Sequence, residues 1–472
     1  MLRQQQLCQW IAPLTESMIP KKESYEKPRQ MAALSVAICL GLLSTGCFSS
    51  PHSKKAGDDP VPSVMTTDIE AGIRSHIEAL SKKSGGSFPL VMDGEELSLK
   101  LVKIHTEYLA TLGPREHFAC VDLVDTNGDV YDVDFFLHGD AGSMTVTETD
   151  PHKINGKPFY FWKQNDDKTW GRVPVDEASL QLMDVVVPQD EFEFRYQATL
   201  PELKGPARLW IPLPTTDAFQ DVKLTSIDAP PNYRILDEPA FGNKILFWEL
   251  GPSDGGKTLD IRYQVKRIEK GEYKATDNPQ LYLVPEQGVP ENEQFKKIAS
   301  NVIAGKKNDL ERARALYEHV INELRYAKTG EGWGKGDAVF ACDSKHGNCT
   351  DYHSYFIALA HAVNIPARFA IGAAIPAMRN EGGIDGYHCW VEFYADGKWW
   401  PIDISEADKY TNLANYYFGH HPANRLEFSR GRDLKVEPGP SSGPINFLAY
   451  PILQVDGALV KTVISFSFRR PE

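Results

Sequence analysis

The chain has 472 residues, of which 42% are hydrophobic, and its formal net charge at pH 7 is −13. This length allows about three domains of about 150 residues each, and the hydrophobic content is typical of globular cores. The acidic balance and the lack of a long basic run disfavour nucleic-acid binding. Seven cysteines in a chain of this length also argue against a disulfide scaffold.

An apolar run occupies residues 31–46 and follows four basic residues between positions 21 and 29. The run is too short to span a bilayer comfortably, so it is typical of a secretory signal. Its end, Leu43-Ser44-Thr45-Gly46-Cys47, resembles the lipobox of bacterial lipoproteins. The resemblance implies that residues 1–47 are a signal peptide, that Cys47 carries a lipid anchor, and that residues 48–65 are a tether in the bacterial cell envelope.

Two alternatives remain open at this end of the chain. A plain secretory signal or a short anchor would contain the same kind of apolar run. The first 30 residues are long for the region before such a run, so Met18 and Met31 are alternative starts.

Residues 66–180 begin with an amphipathic helix and continue with alternating apolar and polar segments. The apolar face of the helix consists of Ile69, Ile73, Ile77 and Leu80. One helix followed by antiparallel strands predicts a small α+β domain of the cystatin or nuclear-transport-factor shape.

The turn Asp125-Thr126-Asn127-Gly128-Asp129 in this domain raises the question of calcium binding. An EF-hand loop aligned on Gly128 would place Leu123 at the first ligand position, where a carboxylate is required. The turn is therefore interpreted as structural, and we predict neither a metal site nor a cofactor for the chain.

Residues 185–270 show strand alternation punctuated by prolines and glycines, which predicts a β-sandwich. After Asp403, His420-His421 lacks an acidic or cysteine partner at metal-binding spacing and is interpreted as part of a loop. Residues 436–472 are expected to add strands that pack on the core.

The residues from about 290 onward predict two helices. Asn308 followed by Glu311 indicates the start of the first. The second covers Thr350–Val363, so Cys349 lies at or just before its first turn. A helix N-terminus favours a thiolate, because its free N–H groups and partial positive charge stabilise an anion.

Two strands flank Asp396-Gly397, which is the strongest two-residue hairpin signal. Counting back from this turn pairs His388 with Ser405. His388 and Asp403 then become diagonal neighbours on one face, roughly 7 to 8 Å apart at the backbone. Cys389 would point to the opposite face, away from this pair, and is predicted to belong to the core.

A thiolate at a helix start, facing an imidazole that a carboxylate orients, is the arrangement of a cysteine acyl-transfer triad. Cys349, His388 and Asp403 supply these three groups. Cys342 lies seven positions before Cys349 and leaves two interpretations open, a buried thiol or a reversible mask of the nucleophile.

Four blocks resemble, in order and spacing, the core of the transglutaminase-like superfamily over residues 290–435. They are Gly347-Asn348-Cys349-Thr350-Asp351-Tyr352, Asn364-Ile365-Pro366-Ala367-Arg368, His388-Cys389-Trp390-Val391-Glu392 and Trp400-Pro401-Ile402-Asp403. The step Trp210-Ile211-Pro212-Leu213-Pro214, with Gln220 following, is similar to the β-domain that precedes this core in bacterial relatives.

The resemblance implies an α+β fold with a papain-like core, preceded by the β-sandwich and the small α+β module. It also implies Cys349 as nucleophile, His388 as general base and then acid, and Asp403 as the group that orients the imidazole. Trp333, Asn348 and Trp390 are the candidates for the substrate cleft.

These observations predict a cell-envelope cysteine enzyme that attacks peptide or protein amides through a thioester. Hydrolysis is favoured over transfer to an amine, since water is the easier acceptor. The alternative is a non-catalytic lipoprotein that uses the same fold as a binding scaffold.

Overall fold

The computed structural model describes residues 64–105, 110–113, 115–164, 170–274 and 277–471. The predicted signal peptide, the lipidation candidate Cys47 and most of the tether lie outside the described residues. The helix predicted from the isoleucine stripe forms as α1, Thr66–Lys83, and buries Ile69, Ile73 and Ile77.

A seven-stranded sheet follows α1 and shares a hydrophobic core with it. Its strands are β1 Phe88–Met92, β2 Glu95–Ile104, β3 Ala110–Gly113, β4 Glu116–Val124, β5 Val130–His138, β6 Thr145–Ile154 and β7 Lys157–Pro158. The order is β1-β2-β4-β5-β6-β7, and β3 pairs with β4. A separate hairpin of β8, Tyr160–Gln164, and β9, Trp170–Pro174, comes next in the chain.

The turn between β4 and β5 is closed by one side chain. Asp125 Oδ1 accepts hydrogen bonds of 2.8 Å from the backbone N–H groups of both Asn127 and Asp129. Its carboxylate therefore serves the turn itself, as such side chains do in Asx turns.

Six strands come next, where the sequence pattern predicts strands, and burial alternates most regularly along the first and the last of them. They are β10 Gln189–Thr199, β11 Ala207–Leu213, β12 Gln220–Asp228, β13 Arg234–Glu238, β14 Asn243–Leu250 and β15 Thr258–Ile268.

The following region alternates helices and short strands. It contains α2 Glu293–Val302, α3 Asp309–Glu323, β16 Arg325–Tyr326, α4 Ala338–Ser344, β17 His346–Gly347, α5 Cys349–Ala362, β18 Ala367–Ala374, β19 Glu381–Ile384, β20 His388–Ala395, β21 Lys398–Ile402, α6 Ile404–Lys409 and β22 Arg425–Arg430. The sheet order β21-β20-β18-β22 makes a four-stranded antiparallel sheet against which α5 packs.

The C-terminal strands pair mainly with strands of the preceding β10–β15 region. They are β23 Ile452–Val455, β24 Ala458–Val460 and β25 Val463–Arg469. They extend the two sheets built by β10–β15, whose orders are β12-β15-β10-β25-β19 and β13-β14-β11-β23-β24. The chain end therefore completes these two sheets and does not add strands to the sheet of β18 and β20.

Candidate active site

The start of α5 is fixed by local hydrogen bonds. Asn348 Oδ1 accepts from the N–H of Thr350 at 3.0 Å, and Asp351 Oδ2 accepts from the N–H of Asn348 at 3.0 Å. This reciprocal capping box makes Cys349 the first helical residue, as predicted. Cys349 is only 2% exposed.

The loop from Gly330 to Gly336 is tied to the same helix start. The buried Asp351 carboxylate accepts the N–H groups of Gly334 at 2.7 Å and Gly336 at 3.1 Å. Both glycines have positive φ, 78° and 65°, which favours residues without a Cβ atom. Trp333 lies in this loop and is half-buried. The next residue, Gly334, contacts Asp351 on α5, the helix that begins at Cys349.

The hairpin register follows the turn as predicted, from Ala395–Lys398 back to Val391–Ile402. The pairing then ends, because Asp403 caps α6 with its side chain, accepting the N–H of Glu406 at 3.1 Å. The predicted pairing of His388 with Ser405 does not form, since Ser405 lies in α6.

His388 and Asp403 meet despite the early end of the strand. The Nε2 atom of His388 lies 2.6 Å from Oδ2 of Asp403. Arg425 Nη1 lies 2.7 Å from the same oxygen. Asp403 is completely buried, which opposes its charge, but the charges of His388 and Arg425 hold the pKa of its carboxyl well below the usual range.

The side chains of Cys389 and His388 interact with the Cys349 thiol. Burial opposes ionisation, yet the interactions with these two side chains, including the charge of His388, bring the pKa of Cys349 well below its usual value. For His388, burial lowers the pKa, but Asp403 and Cys349 outweigh it and raise the pKa to about 9. Both pKa shifts favour the thiolate–imidazolium pair over the neutral thiol and imidazole.

Because Nε2 of His388 bonds Asp403, Nδ1 is the ring nitrogen left to face the thiol. Nδ1 can therefore exchange a proton with the sulfur, while Asp403 orients the ring through Nε2.

Cys389 is completely buried in the core and lies on the face of β20 opposite His388, as predicted. What the prediction missed is that α5 covers this face, and that Cys349 is the first residue of this helix. Burial raises the pKa of Cys389 well above its usual value, so this residue stays a thiol. Its S–H can then donate to the Cys349 thiolate.

His353 was not predicted from the sequence as part of the site, and its imidazole contacts Cys389. Its Nε2 atom accepts the N–H of Ile404 at 3.1 Å, so the ring proton is on Nδ1, which lies 3.4 Å from Cys389 Sγ. Positions 349 and 353 are four residues apart on one helix and therefore share a face. That spacing is the signal by which His353 could have been found.

The three cleft candidates have different surroundings. Asn348 Nδ2 donates to the hydroxyl of Tyr387 at 3.2 Å, beside Gly334. Trp333 is half-buried. Trp390 is 0% exposed and packs beneath His388, with the Arg425 guanidinium 5.0 Å from its ring centre. Trp390 is therefore a support of the imidazole and does not line an open cleft.

The neighbouring histidines and cysteine have structural partners. His420 and His421 bond the carbonyl oxygens of Tyr416 and Ile402, in agreement with the loop interpretation. Cys342 is a free thiol whose sulfur accepts from Gln294 Nε2 at 3.4 Å. The structure thus shows Cys342 as a buried thiol.

Residues 296–404, which include Cys349, His388 and Asp403, match the family model of the transglutaminase-like superfamily. An uncharacterized protein of Haemophilus influenzae strain Rd is 27% identical over 318 residues, which make up 57% of this chain and 86% of that protein.

Two solved structures resemble the chain at low sequence identity. A candidate cysteine protease from Cytophaga hutchinsonii has a TM-score of 0.40 and 14% identity, covering 60% of this chain and 93% of that one. A candidate protease from Parabacteroides distasonis has a TM-score of 0.21 and 12% identity, covering 61% and 63%. Likeness at these TM-scores carries no weight for the activity. Within the described ranges, no helix is long and apolar enough to cross a membrane.

The interaction of Cys389 with Cys349 gives a test of the thiolate. Replacing Cys389 with Ala removes a donor to a charged sulfur, a contact worth about 1.5 to 3 kcal/mol. We expect iodoacetamide alkylation of Cys349 at pH 6 to slow roughly tenfold or more, because less of the thiol is ionised. Mass spectrometry of the Cys349 peptide across pH measures the rate.

Cys389→Ser is the matched control, since its hydroxyl keeps a donor at the same position. Its alkylation at pH 6 should stay close to that of the wild type. Equal rates for Cys389→Ala and the wild type would show that Cys389 does not stabilise the thiolate.

Proposed function

Because residues 296–404 form a transglutaminase-like domain, we propose that the protein is a cysteine hydrolase that cleaves peptide or protein amides with Cys349, His388 and Asp403. The observation that carries this proposal is the buried contact of these three groups. A low pKa at the thiol, a raised pKa at the imidazole and a carboxylate 2.6 Å behind it are what nucleophilic cysteine catalysis requires.

In the first half-reaction the Cys349 thiolate attacks the carbonyl carbon of the amide, forming a C–S bond and placing negative charge on the carbonyl oxygen. The N–H of Cys349 can stabilise this oxyanion, because the first N–H groups of a helix have no intrahelical acceptor. The C–N bond then breaks, and the amine leaves with the proton from Nδ1 of His388. A thioester on Cys349 remains.

In the second half-reaction neutral His388 takes a proton from water, whose oxygen attacks the thioester. Loss of the thiolate regenerates the ion pair and releases a carboxylic acid. An amine in place of water would give transamidation. Hydrolysis is the favoured outcome of the two because water needs no second binding site.

The principal test is the coupling of thiol reactivity to His388. In the wild type, iodoacetamide should label Cys349 stoichiometrically near neutral pH, and His388→Ala should abolish this fast labelling. His319→Ala, which replaces a half-buried histidine on α3, is the matched control and should label like the wild type. A sluggish Cys349 that is insensitive to His388→Ala would instead favour the non-catalytic scaffold.

Substrate turnover extends this test. Envelope proteins trapped as thioesters on Cys349 can be identified by mass spectrometry, and peptide amides made from them give a rate assay. The kcat/KM of hydrolysis should fall above about pH 9, because the raised pKa of His388 marks the loss of the proton that the leaving amine needs. Absence of any hydrolysis or trapped thioester would contradict the enzyme.

Asp403→Asn tests the orienting carboxylate. We expect kcat/KM to fall by up to about 10⁴, as in the analogous serine triad. The free energy of unfolding should also fall by about 3 kcal/mol, since buried Arg425 loses its ionic partner. Denaturant unfolding and turnover measure the two effects separately.

The double variant Asp403→Asn with Arg425→Gln is the control for stability. It removes the unpaired charge of Arg425, so part of the lost free energy of unfolding should be recovered while activity stays low. Turnover near the wild-type value in Asp403→Asn would contradict the proposed role of Asp403.

For the location we propose a lipid anchor at Cys47 in the bacterial cell envelope, on the basis of the lipobox-like sequence. Cys47→Ser should move the protein from the membrane fraction to the soluble fraction, because the acylation site is lost. Immunoblotting of fractionated cells checks this, with Cys342→Ser as a thiol control. Retention of Cys47→Ser on the membrane would contradict the anchor.

A further inference from the structure

A second group of reactive side chains lies on the small α+β domain, on the face of its sheet opposite α1. It contains Cys120 on β4, Asp134 on β5 and His152 on β6. One ligand atom from each residue lies within 4.8 Å of the others. Cys120 and Asp134 face each other directly in the β4–β5 ladder.

His152 reaches this group because β6 has a bulge. Asp132 pairs with Lys153 and Val133 pairs with Pro151, so His152 is the extra residue between two pairs. A bulge of this kind bends the strand and re-aims a side chain. The side chain of His152 is turned toward Asp134, where its Nδ1 atom lies 3.5 Å from Oδ1.

The orientation of the His152 imidazole leaves Nδ1 available to bind a metal ion. Its Nε2 atom lies 3.0 Å from the carbonyl oxygen of Tyr160, which can only accept a hydrogen bond. Nε2 therefore carries the proton, and in the neutral ring Nδ1 presents its lone pair to Asp134. Metal-binding histidines commonly donate their other N–H to a backbone carbonyl in this way.

The two carboxylate oxygens of Asp134 have different surroundings. Its Oδ2 atom accepts hydrogen bonds from Trp162 Nε1 at 2.8 Å and from the Tyr160 hydroxyl at 3.0 Å. Its Oδ1 atom is buried without a hydrogen-bond partner among the described residues. An ionised carboxylate oxygen that is 0% exposed needs a cation or a donor.

The spacing between the two ligand atoms suits a metal better than an ion pair. A charge-assisted hydrogen bond would bring nitrogen and oxygen to about 2.7 to 2.9 Å. Two ligands about 2.0 Å from a tetrahedral zinc ion are about 3.3 Å apart. The 3.5 Å separation of Nδ1 and Oδ1 is close to the second value.

We propose that Cys120, Asp134 and His152 bind one divalent metal ion, and that zinc is the ion that this set of sulfur, oxygen and nitrogen ligands fits best. Cys120 binds as the thiolate and releases its proton to solvent on binding, while water fills the fourth position. The ion joins three neighbouring strands at the bulge. This site departs from the sequence-based prediction of no metal, because ladder pairing, not sequence spacing, brings its ligands together.

The test uses the full chain with Cys349→Ala, so that the thiolate of the proposed active site cannot bind metal. After dialysis against EDTA, cobalt is titrated in as a spectroscopic substitute for zinc. We expect one cobalt per chain, with the near-ultraviolet charge-transfer band of a cobalt–thiolate bond, and displacement of that band by zinc. Cys120→Ser and His152→Gln should each weaken binding at least tenfold, whereas Cys342→Ser should leave it unchanged.

A thermal melt supplies a second readout that does not depend on the cobalt band. Zinc should raise the Tm of the Cys349→Ala parent but not that of its His152→Gln derivative. If His152 and Asp134 form only an ion pair, His152→Gln lowers the Tm equally with and without zinc, and the proposal is overturned. A parent that takes up no cobalt, or a band that persists in both ligand variants, overturns it as well.

Discussion

The buried carboxylate of Asp403 is the group on which the candidate site depends. Its Oδ2 atom contacts both His388 and Arg425, and its Oδ1 atom accepts the N–H of Glu406 and the hydroxyl of Ser405. Each oxygen of this anion thus has two cationic or hydrogen-bonding neighbours, which offsets the large cost of removing the charge from water. The same side chain ends β21, starts α6 and fixes the imidazole, so fold and site share one constraint.

The charge of Asp403 affects the pKa of the Cys349 thiol through His388. Asp403 raises the pKa of His388, and His388 in turn lowers the pKa of Cys349, although burial opposes the charge at each of the three positions. Hydrogen bonds and charge–charge attraction together outweigh the cost of burial at each position. Cys389, held by His353, adds a hydrogen-bond donor to the sulfur without adding a charge.

Local signals were enough to predict most of this arrangement. The turn at Asp396-Gly397 fixed the register because side chains alternate along a strand, and the cap at Asn348 fixed the start of α5 because capping involves residues close in sequence. Local signals do not reveal contacts between residues that are distant in the sequence. Nothing near Cys389 shows that α5 covers its face, and nothing near residue 463 shows that β25 pairs with β10 rather than with the core sheet.

β25 also shows why the two sheets of β10–β15 matter to the site. β25 pairs with β10 on one side and with β19 on the other, and β19 belongs to the segment that leads into His388. Between them, the N–H of Tyr387 lies 3.3 Å from the hydroxyl of Tyr450, and the hydroxyl of Tyr387 bonds Asn348 beside the cysteine. The chain end therefore holds the approach to His388 against the helix that carries Cys349. The two sheets of β10–β15 are part of the support of the site, because β25 joins β10 to β19, the strand that precedes His388.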